Sequence, residues 1–176
     1  MATQVAVEIE RKFLVHGDAW RAGVQRAQRM MQGYLIDASV VAAGQVRCSI
    51  RVRVAGDSAW INIKSAELGV ARQEYEYVIA REDAERMLRD FCAGTIDKTR
   101  HYVPFGGVVF EVDEFHGDNA GLIVAEVELA SADQEFARPA WLGAEVSAAA
   151  RYYNLNLLHH PYARWNTREQ AGVIEC

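Results

Sequence analysis

Charged residues of one sign recur in this chain as pairs that are two positions apart. The pairs occur as GluIleGlu (8–10), ArgValArg (51–53), LysThrArg (98–100) and GluValGlu (126–128). Side chains two positions apart on a β-strand project from the same face, so the members of each pair would lie side by side and repel each other. A ligand or a facing pair of opposite charge must offset that repulsion.

The two kinds of pair indicate two kinds of ligand. Paired carboxylates suit a hard divalent cation, which prefers oxygen ligands. Paired arginines and lysines suit phosphate oxygens, and arginine can hold two of them at once. Together the pairs predict a site that binds both a metal ion and phosphate groups.

Antiparallel strands are the elements that would position these pairs. Period-two alternation between turn-forming residues predicts eight strands, approximately over 5–15, 31–37, 45–54, 59–65, 72–80, 96–103, 107–115 and 122–130. AlaGlyAsp at 55–57 predicts a hairpin turn. An even number of antiparallel strands can close into a barrel.

The predicted helices lie between and after the strands. Apolar residues at helical spacing predict a helix over 81–93 that ends at Gly94. A weaker pattern favours another over 18–30, and 144–158 is typical of one or two short helices. We predict a single domain over 1–160, followed by a polar and mobile tail over 161–176.

Splitting each predicted strand into two faces gathers the charges on one face. In the first strand Ile9 and Phe13 oppose Glu8, Glu10 and Lys12. The simpler alternative is a set of solvated faces whose ion pairs contribute little. Same-sign neighbours favour an enclosed site instead. The charged faces hold Glu8, Glu10, Glu74, Glu76, Glu111, Asp113, Glu126, Glu128, Lys12, Arg47, Arg51, Arg53, Lys64, Arg72, Lys98 and Arg100.

Composition excludes several functional classes. A net charge of −5 and a pI near 5.5 argue against sequence-independent nucleic-acid binding. No stretch is apolar and long enough to span a bilayer, and residues 1–10 lack the features of a signal peptide, so we expect a cytoplasmic protein with no membrane partner. Cys48, Cys92 and Cys176 lack zinc-site spacing and are interpreted as buried or inert thiols.

A run of motifs resembles a known family. GluIleGluArgLys at 8–12 is an ExExK motif, which is typical of the CYTH superfamily, also called triphosphate tunnel metalloenzymes. The motifs that follow in order are ArgValArg (51–53), IleLysSer (63–65), ArgGlnGluTyrGlu (72–76), LysThrArg (98–100), PheGluValAsp (110–113) and GluValGlu (126–128). Over most of its length the chain is similar to the short bacterial members of this family.

The resemblance implies an α+β fold, in which a closed eight-stranded antiparallel tunnel has a charged lumen, helices outside and a C-terminal plug helix. It implies substrate binding by Lys12, Arg51, Arg53, Lys64, Lys98, Arg100 and, on the plug, Arg151. A plain exposed arginine is an equal reading of Arg151, because Tyr153 departs from the family pattern. The implied metal ligands are Glu8, Glu10, Glu76, Asp113, Glu126 and Glu128, and the implied catalytic residues are Glu8, Glu10, Lys12, Arg51, Arg53, Lys64 and Arg100.

The activity implied by the resemblance is hydrolysis of a linear triphosphate with Mg²⁺ or Mn²⁺. Inorganic tripolyphosphate would give pyrophosphate and phosphate. Class IV adenylyl cyclase or thiamine triphosphatase activity in the same tunnel remains an alternative, and so does a non-catalytic polyphosphate-binding module. A salt-bridged structural protein is a further alternative. A homodimer is left open.

Overall fold

The described residues are organised around one nine-stranded antiparallel sheet. The computed structural model describes residues 6–66 and 71–170, and side chains over 8–66 and 73–170. The strands are β1 (Ala6–Val15), β2 (Arg26–Tyr34), β3 (Cys48–Ala55), β4 (Ser58–Ser65), β5 (Ala71–Ile79), β6 (Thr95–Phe105), β7 (Val108–Phe115), β8 (Ile123–Glu128) and β9 (Leu142–Glu145).

The strands follow the order β5-β4-β3-β2-β6-β7-β8-β1-β9. The first half of β1 also pairs with β5, through Ala6–Ile9, whereas Glu10–Leu14 pair with β8. The prediction of eight strands was therefore one short, because β9 adds a brief ninth strand to β1. The predicted turn at 55–57 is confirmed, with Gly56 at φ +58° between β3 and β4.

The predicted helix over 18–30 is wrong. A short 3₁₀ helix occupies Ala19–Gly23, and Arg26–Tyr34 then form β2 between β3 and β6. Pairing on both sides overrides the helical propensity of this arginine-, glutamine- and methionine-rich segment. The strand predicted over 31–37 therefore starts five residues too late.

The described ranges also contain four α-helices. They are α1 (Ala38–Ala42), α2 (Arg81–Asp90), α3 (Asn154–His159) and α4 (Thr167–Gln170). The helix predicted over 81–93 is confirmed as α2, which ends three residues earlier. The short helices predicted over 144–158 correspond to a 3₁₀ helix at Ala150–Tyr152 and to α3, whereas α1 was not predicted.

The apolar strand faces pack in three clusters that surround the charged residues. Phe13 and Val127 belong to the first cluster, together with Trp20 and Trp141. The second joins β6, β7 and β8 to residues 146–165, which we call the C-terminal segment. The third joins β3 and β4 to α2. Arg11, which interrupts the apolar face of β1, forms an ion pair with Glu145 of β9.

The chain continues to pack beyond residue 160. Trp165 is buried and its ring contacts Tyr152 edge-on at 5.1 Å. The domain boundary at residue 160 stays a prediction, and residues 171–176 of the predicted mobile tail lie outside the described residues. None of the helices in the described ranges is long and apolar enough to cross a membrane.

Candidate active site

The charged strand faces line a cavity of about 880 Å³. Strands β1 to β8 contribute side chains to the lining, and on β1, β3 and β8 the alternate side chains pack in the apolar clusters, as the period of two requires. On β1, Glu8, Glu10 and Lys12 line the cavity, whereas Phe13 is in the first apolar cluster. The sequence-predicted site residues in the lining are Glu8, Glu10, Lys12, Arg51, Arg53, Lys64, Glu76, Arg100, Glu126 and Glu128.

Lys64 on β4 forms ion pairs with carboxylates of two other strands that line the cavity. Its Nζ lies 2.6 Å from the Glu8 carboxylate on β1 and 3.3 Å from Glu74 on β5. The register places Lys64 directly opposite Glu74. Lys64 is almost fully buried, so its charge is held in the cavity wall by these two carboxylates.

Arg51 and Arg53 of β3 point into the cavity beside a second pair of carboxylates. Arg53 Nη2 donates to Glu76 at 3.0 Å, and Arg51 Nη2 lies 3.9 Å from Glu74. Asn62 donates to both carboxylates, at 2.8 and 2.6 Å. Burial lowers the pKa of Arg53, and the charges of Arg51 and Arg100 lower it further. The guanidinium of Arg53 therefore lies where a nearby anion would stabilise its positive charge.

Arg100 is the centre of a buried ionic network. It donates to Asp113 at 2.8 and 2.7 Å and to Glu126 at 2.5 Å, and it also pairs with Glu111. Burial alone would raise the pKa of Asp113, but the charges of Arg100 and Lys98 hold it below its ordinary value. Arg100 is thereby fixed in one orientation.

Lys98 and Asp113 lie behind the wall, not in it. Within the described part of the chain, neither residue contributes to the cavity lining. They are 1% and 0% exposed and contact each other at 2.5 Å. Burial lowers the pKa of Lys98 to about 8 despite this partner. Both residues therefore support Arg100 from within the protein.

The acidic side of the cavity is formed by β1 and β8. Their antiparallel register places Glu10 opposite Glu128 and Lys12 opposite Glu126. Lys12 Nζ lies 2.9 Å from the Glu126 carboxylate. Burial raises the pKa of Glu10 to about 7, and the nearby charges of Glu126 and Glu8 act in the same direction. This carboxylate is therefore in a position where a cation would stabilise its charged form.

The C-terminal segment closes over Lys12. Tyr152 accepts a hydrogen bond from Lys12 Nζ through its backbone carbonyl at 3.4 Å, and the same Nζ lies 5.1 Å from the centre of the Tyr153 ring. Tyr153 lines the cavity and donates to the Ser147 carbonyl at 2.7 Å. Arg151, the predicted plug contact, is instead outside the lining formed by the described residues and lies over the Tyr152 and Trp165 rings.

Sequence reasoning missed one end of the lining. Arg26, Gln28, Trp60 and Tyr102 also face the cavity, where Arg26 stacks over Tyr102 and Arg53 over Trp60. Reading 18–30 as a helix removed Arg26 and Gln28 from the charged strand faces. The alternation of Arg26, Gln28 and Met30 with Ala27 and Arg29 was the available signal.

No cluster of three metal-ligating side chains is preassembled in the described residues. Lysine and arginine partners hold many of the acidic side chains in place, as Glu8, Asp113 and Glu126 illustrate. The site is therefore an array of ion pairs that encloses a cavity.

Comparisons with known proteins agree with these motifs. The CYTH domain matches residues 6–158. The inorganic triphosphatase of Acetivibrio thermocellus is 38% identical over 156 residues, which are 88% of this chain and 95% of the relative. The inorganic triphosphatase of Nitrosomonas europaea is 35% identical over 150 residues, which are 84% and 93% of the two chains.

Solved structures show the same fold. The crystal structure of the inorganic triphosphatase NE1496 superposes with a TM-score of 0.62 at 33% identity, over 89% of this chain and 95% of the other. HpAC1 from Hippeastrum, for which a dominant triphosphatase activity is described, has a TM-score of 0.54 at 16% identity, over 70% and 80%. At that identity the likeness extends to the fold alone. The family resemblance of the sequence motifs is thereby confirmed, and the chain belongs to the CYTH domain family.

Proposed function

We propose that this chain is a metal-dependent triphosphatase whose substrate is inorganic tripolyphosphate, cleaved to pyrophosphate and phosphate. The observation that carries the proposal is the single cavity in which Glu8 and Glu10 face Arg51, Arg53 and Lys64. Membership of the CYTH domain family and the similarity to two inorganic triphosphatases support it.

The sheet works as a tunnel in this proposal. Strands β1 to β8 close into a ring, and β9 lies outside it. The pairing of β1 with both β5 and β8 supports closure. Residues 150–156 of the C-terminal segment plug one end of the tunnel. The contact of Tyr152 with Lys12 supports this role.

The cations bind and orient the substrate. Arg51, Arg53 and Lys64 hold phosphate oxygens from one side of the tunnel, and Lys12 and Arg100 hold them from the other. Arginine can hold two oxygens of one phosphate group, which fixes direction as well as position. Lys98 acts only through Asp113 and Arg100, because it is buried behind the wall.

Glu8, Glu10, Glu126 and Glu128 are the proposed metal ligands in the lining. Their oxygen-only chemistry fits Mg²⁺ or Mn²⁺, and the raised pKa of Glu10 fits a position that receives a cation. Glu76 remains a further candidate at the rim. Asp113 fits less well, because Arg100 and Lys98 occupy its oxygens.

The chain's own residues supply position and charge in this mechanism. A bound divalent ion would neutralise phosphate charge and acidify an attacking water. The arginines and lysines stabilise the charge that develops on the phosphate oxygens, and the enclosed wall restricts access of bulk water. Hydrolysis in this form needs no protein nucleophile. The homodimer, the cytoplasmic location and the lack of nucleic-acid and membrane partners stay predictions.

A substrate panel tests the proposed function. The protein is incubated with tripolyphosphate, ATP or thiamine triphosphate, each with Mg²⁺, with Mn²⁺ or with EDTA, and phosphate, pyrophosphate and cyclic AMP are measured. We expect tripolyphosphate to be turned over fastest, with equal amounts of pyrophosphate and phosphate, and EDTA to stop the reaction. Cyclic AMP as the main product would contradict the proposal in favour of a cyclase. Binding without turnover of any of the three would favour a binding module.

A further inference from the structure

Gln32 on β2 is a fully buried side chain whose amide has no partner. Its exposed fraction is 0%, and neither its Oε1 nor its Nε2 atom hydrogen-bonds to any group in the described ranges. A buried amide without a hydrogen bond is costly, and an apolar side chain of the same size would avoid the cost. Such a side chain marks a place where a bound group would complete the structure.

Gln32 lies directly behind the cavity wall, and it is not itself among the described residues that line the cavity. Met30 and Tyr34, its neighbours on the same face of β2, both line the cavity. Arg53, directly opposite on β3, lines it too. On the other side Gln32 is opposite Ile96, a member of the apolar cluster beneath the C-terminal segment. Gln32 therefore lies between the charged cavity and this apolar cluster.

Arg53 offers the complementary group. Its Nε atom is buried and also lacks a hydrogen-bond partner among the described residues. Directly opposite residues of an antiparallel pair have Cβ atoms about 5 Å apart, which places these two long side chains within reach of each other. The Gln32 oxygen can accept from Nε, which leaves the amide nitrogen as a neutral donor beside the guanidinium.

We infer that Gln32 is a positioning residue for substrate binding, whose Oε1 accepts from Arg53 Nε and so holds the guanidinium in the orientation that binds a phosphate oxygen. The inference rests on the proposed triphosphate function and adds a neutral group behind its binding site. Because the amide carries no charge, it can orient Arg53 without neutralising the positive charge that binds phosphate, as a carboxylate partner would.

Two substitutions test this inference. Gln32→Leu removes both polar atoms at nearly constant size, and Gln32→Glu keeps the acceptor but replaces the donor with a negative charge. For Gln32→Leu we expect the KM for tripolyphosphate to rise about tenfold or more, as for loss of a hydrogen bond to a charged group. We expect kcat to stay within about threefold, because the inferred contact serves binding. Gln32→Glu should raise KM further.

Thermal melting with and without tripolyphosphate, in EDTA, distinguishes binding from a structural role. The ligand-free Gln32→Leu protein should melt at or above the wild-type temperature, because no hydrogen bond of the folded protein is lost. Its stabilisation by tripolyphosphate should be smaller than that of the wild type. Gln73→Leu, at an exposed glutamine of β5, is the matched control and should match the wild type in both respects.

Opposite results overturn the inference. A lower melting temperature for ligand-free Gln32→Leu, with an unchanged KM and an unchanged response to tripolyphosphate, would show a purely structural side chain. If Gln32→Leu does not fold, an unchanged KM for Gln32→Glu overturns the inference equally. If the wild type itself does not respond to tripolyphosphate in melting or turnover, the proposed function fails, and the inference with it.

Discussion

The Glu10→Gln protein should fold and bind tripolyphosphate, yet hydrolyse it at least about a hundredfold more slowly than the wild type. Glu10 lies on the acidic side of the cavity, opposite Glu128 and close to the charges of Glu126 and Glu8. Glutamine keeps the shape but removes the charge that we propose to hold the divalent ion. The measurement is kcat with saturating Mg²⁺ and tripolyphosphate.

The stability of the same variant separates a catalytic from a structural role. Burial and neighbouring carboxylates disfavour the charge of Glu10, so its removal should leave the melting temperature unchanged or raise it. Glu114→Gln is the matched control. Glu114 pairs with Arg21 outside the cavity, and its loss should leave kcat unchanged. Wild-type turnover by Glu10→Gln would remove Glu10 from the mechanism.

Arg100→Met should lower the free energy of unfolding by about 3–5 kcal/mol, which is the usual effect of removing one partner from a buried ionic group. Arg100 donates to Asp113 and Glu126, and both carboxylates are nearly inaccessible to water. Without the guanidinium, Lys98 and Lys12 would be left to balance them. Urea denaturation without substrate measures the loss.

A second substitution shows that the loss comes from uncompensated charge. Glu111→Gln in the Arg100→Met background should recover part of the stability, because it removes a carboxylate that has lost its arginine partner. Arg29→Met is the control, since Arg29 is exposed and pairs with Asp97 at the surface. It should leave the urea midpoint unchanged. An unchanged midpoint for Arg100→Met would refute the proposed role of the network.

Strand periodicity predicted which residues face the cavity. On β1 it separated Glu10 and Lys12 from Phe13, and on β3 it separated Arg51 and Arg53 from Val52. This worked because the side-chain period of a strand is two and one face is buried against apolar neighbours, so any shift in register would bury the charges.

The alternation does not predict which residues on a charged strand face reach the cavity and which are buried beyond its end. Lys98 and Arg100 share a face, but Lys98 is opposite Phe115, a member of the apolar cluster beneath the cavity. Arg100 is opposite Asp113, one pair closer to the cavity. That difference depends on where the C-terminal segment packs, and no local pattern encodes such a long-range contact.

Strand β2 shows a second limit of prediction from local sequence. Arg26 to Met30 contains no β-branched residue, and its arginines, glutamines and methionine suit a helix. Strand pairing with β3 and β6 decides the outcome. Gln32 was overlooked because an uncharged residue carries no signal in a pattern of charges.

A triphosphate that binds in the cavity must compete with carboxylates that already pair with the cations. Lys64 contacts Glu8 and Arg53 contacts Glu76 in the cavity wall. A substrate that takes over these cations leaves the carboxylates with excess negative charge, which a divalent ion would offset. We therefore expect the metal and the triphosphate to bind cooperatively, so that each raises the affinity of the protein for the other.

A crystal structure of the wild-type protein with Mn²⁺ and an imido analogue of tripolyphosphate, which resists hydrolysis, tests the central claim most directly, and anomalous scattering would locate the metal. We predict phosphate oxygens within hydrogen-bonding distance of Arg51, Arg53 and Lys64, with Mn²⁺ between the triphosphate and the carboxylates of β1 and β8. The analogue bound on the outer surface, with these three side chains still paired to carboxylates, would contradict the account.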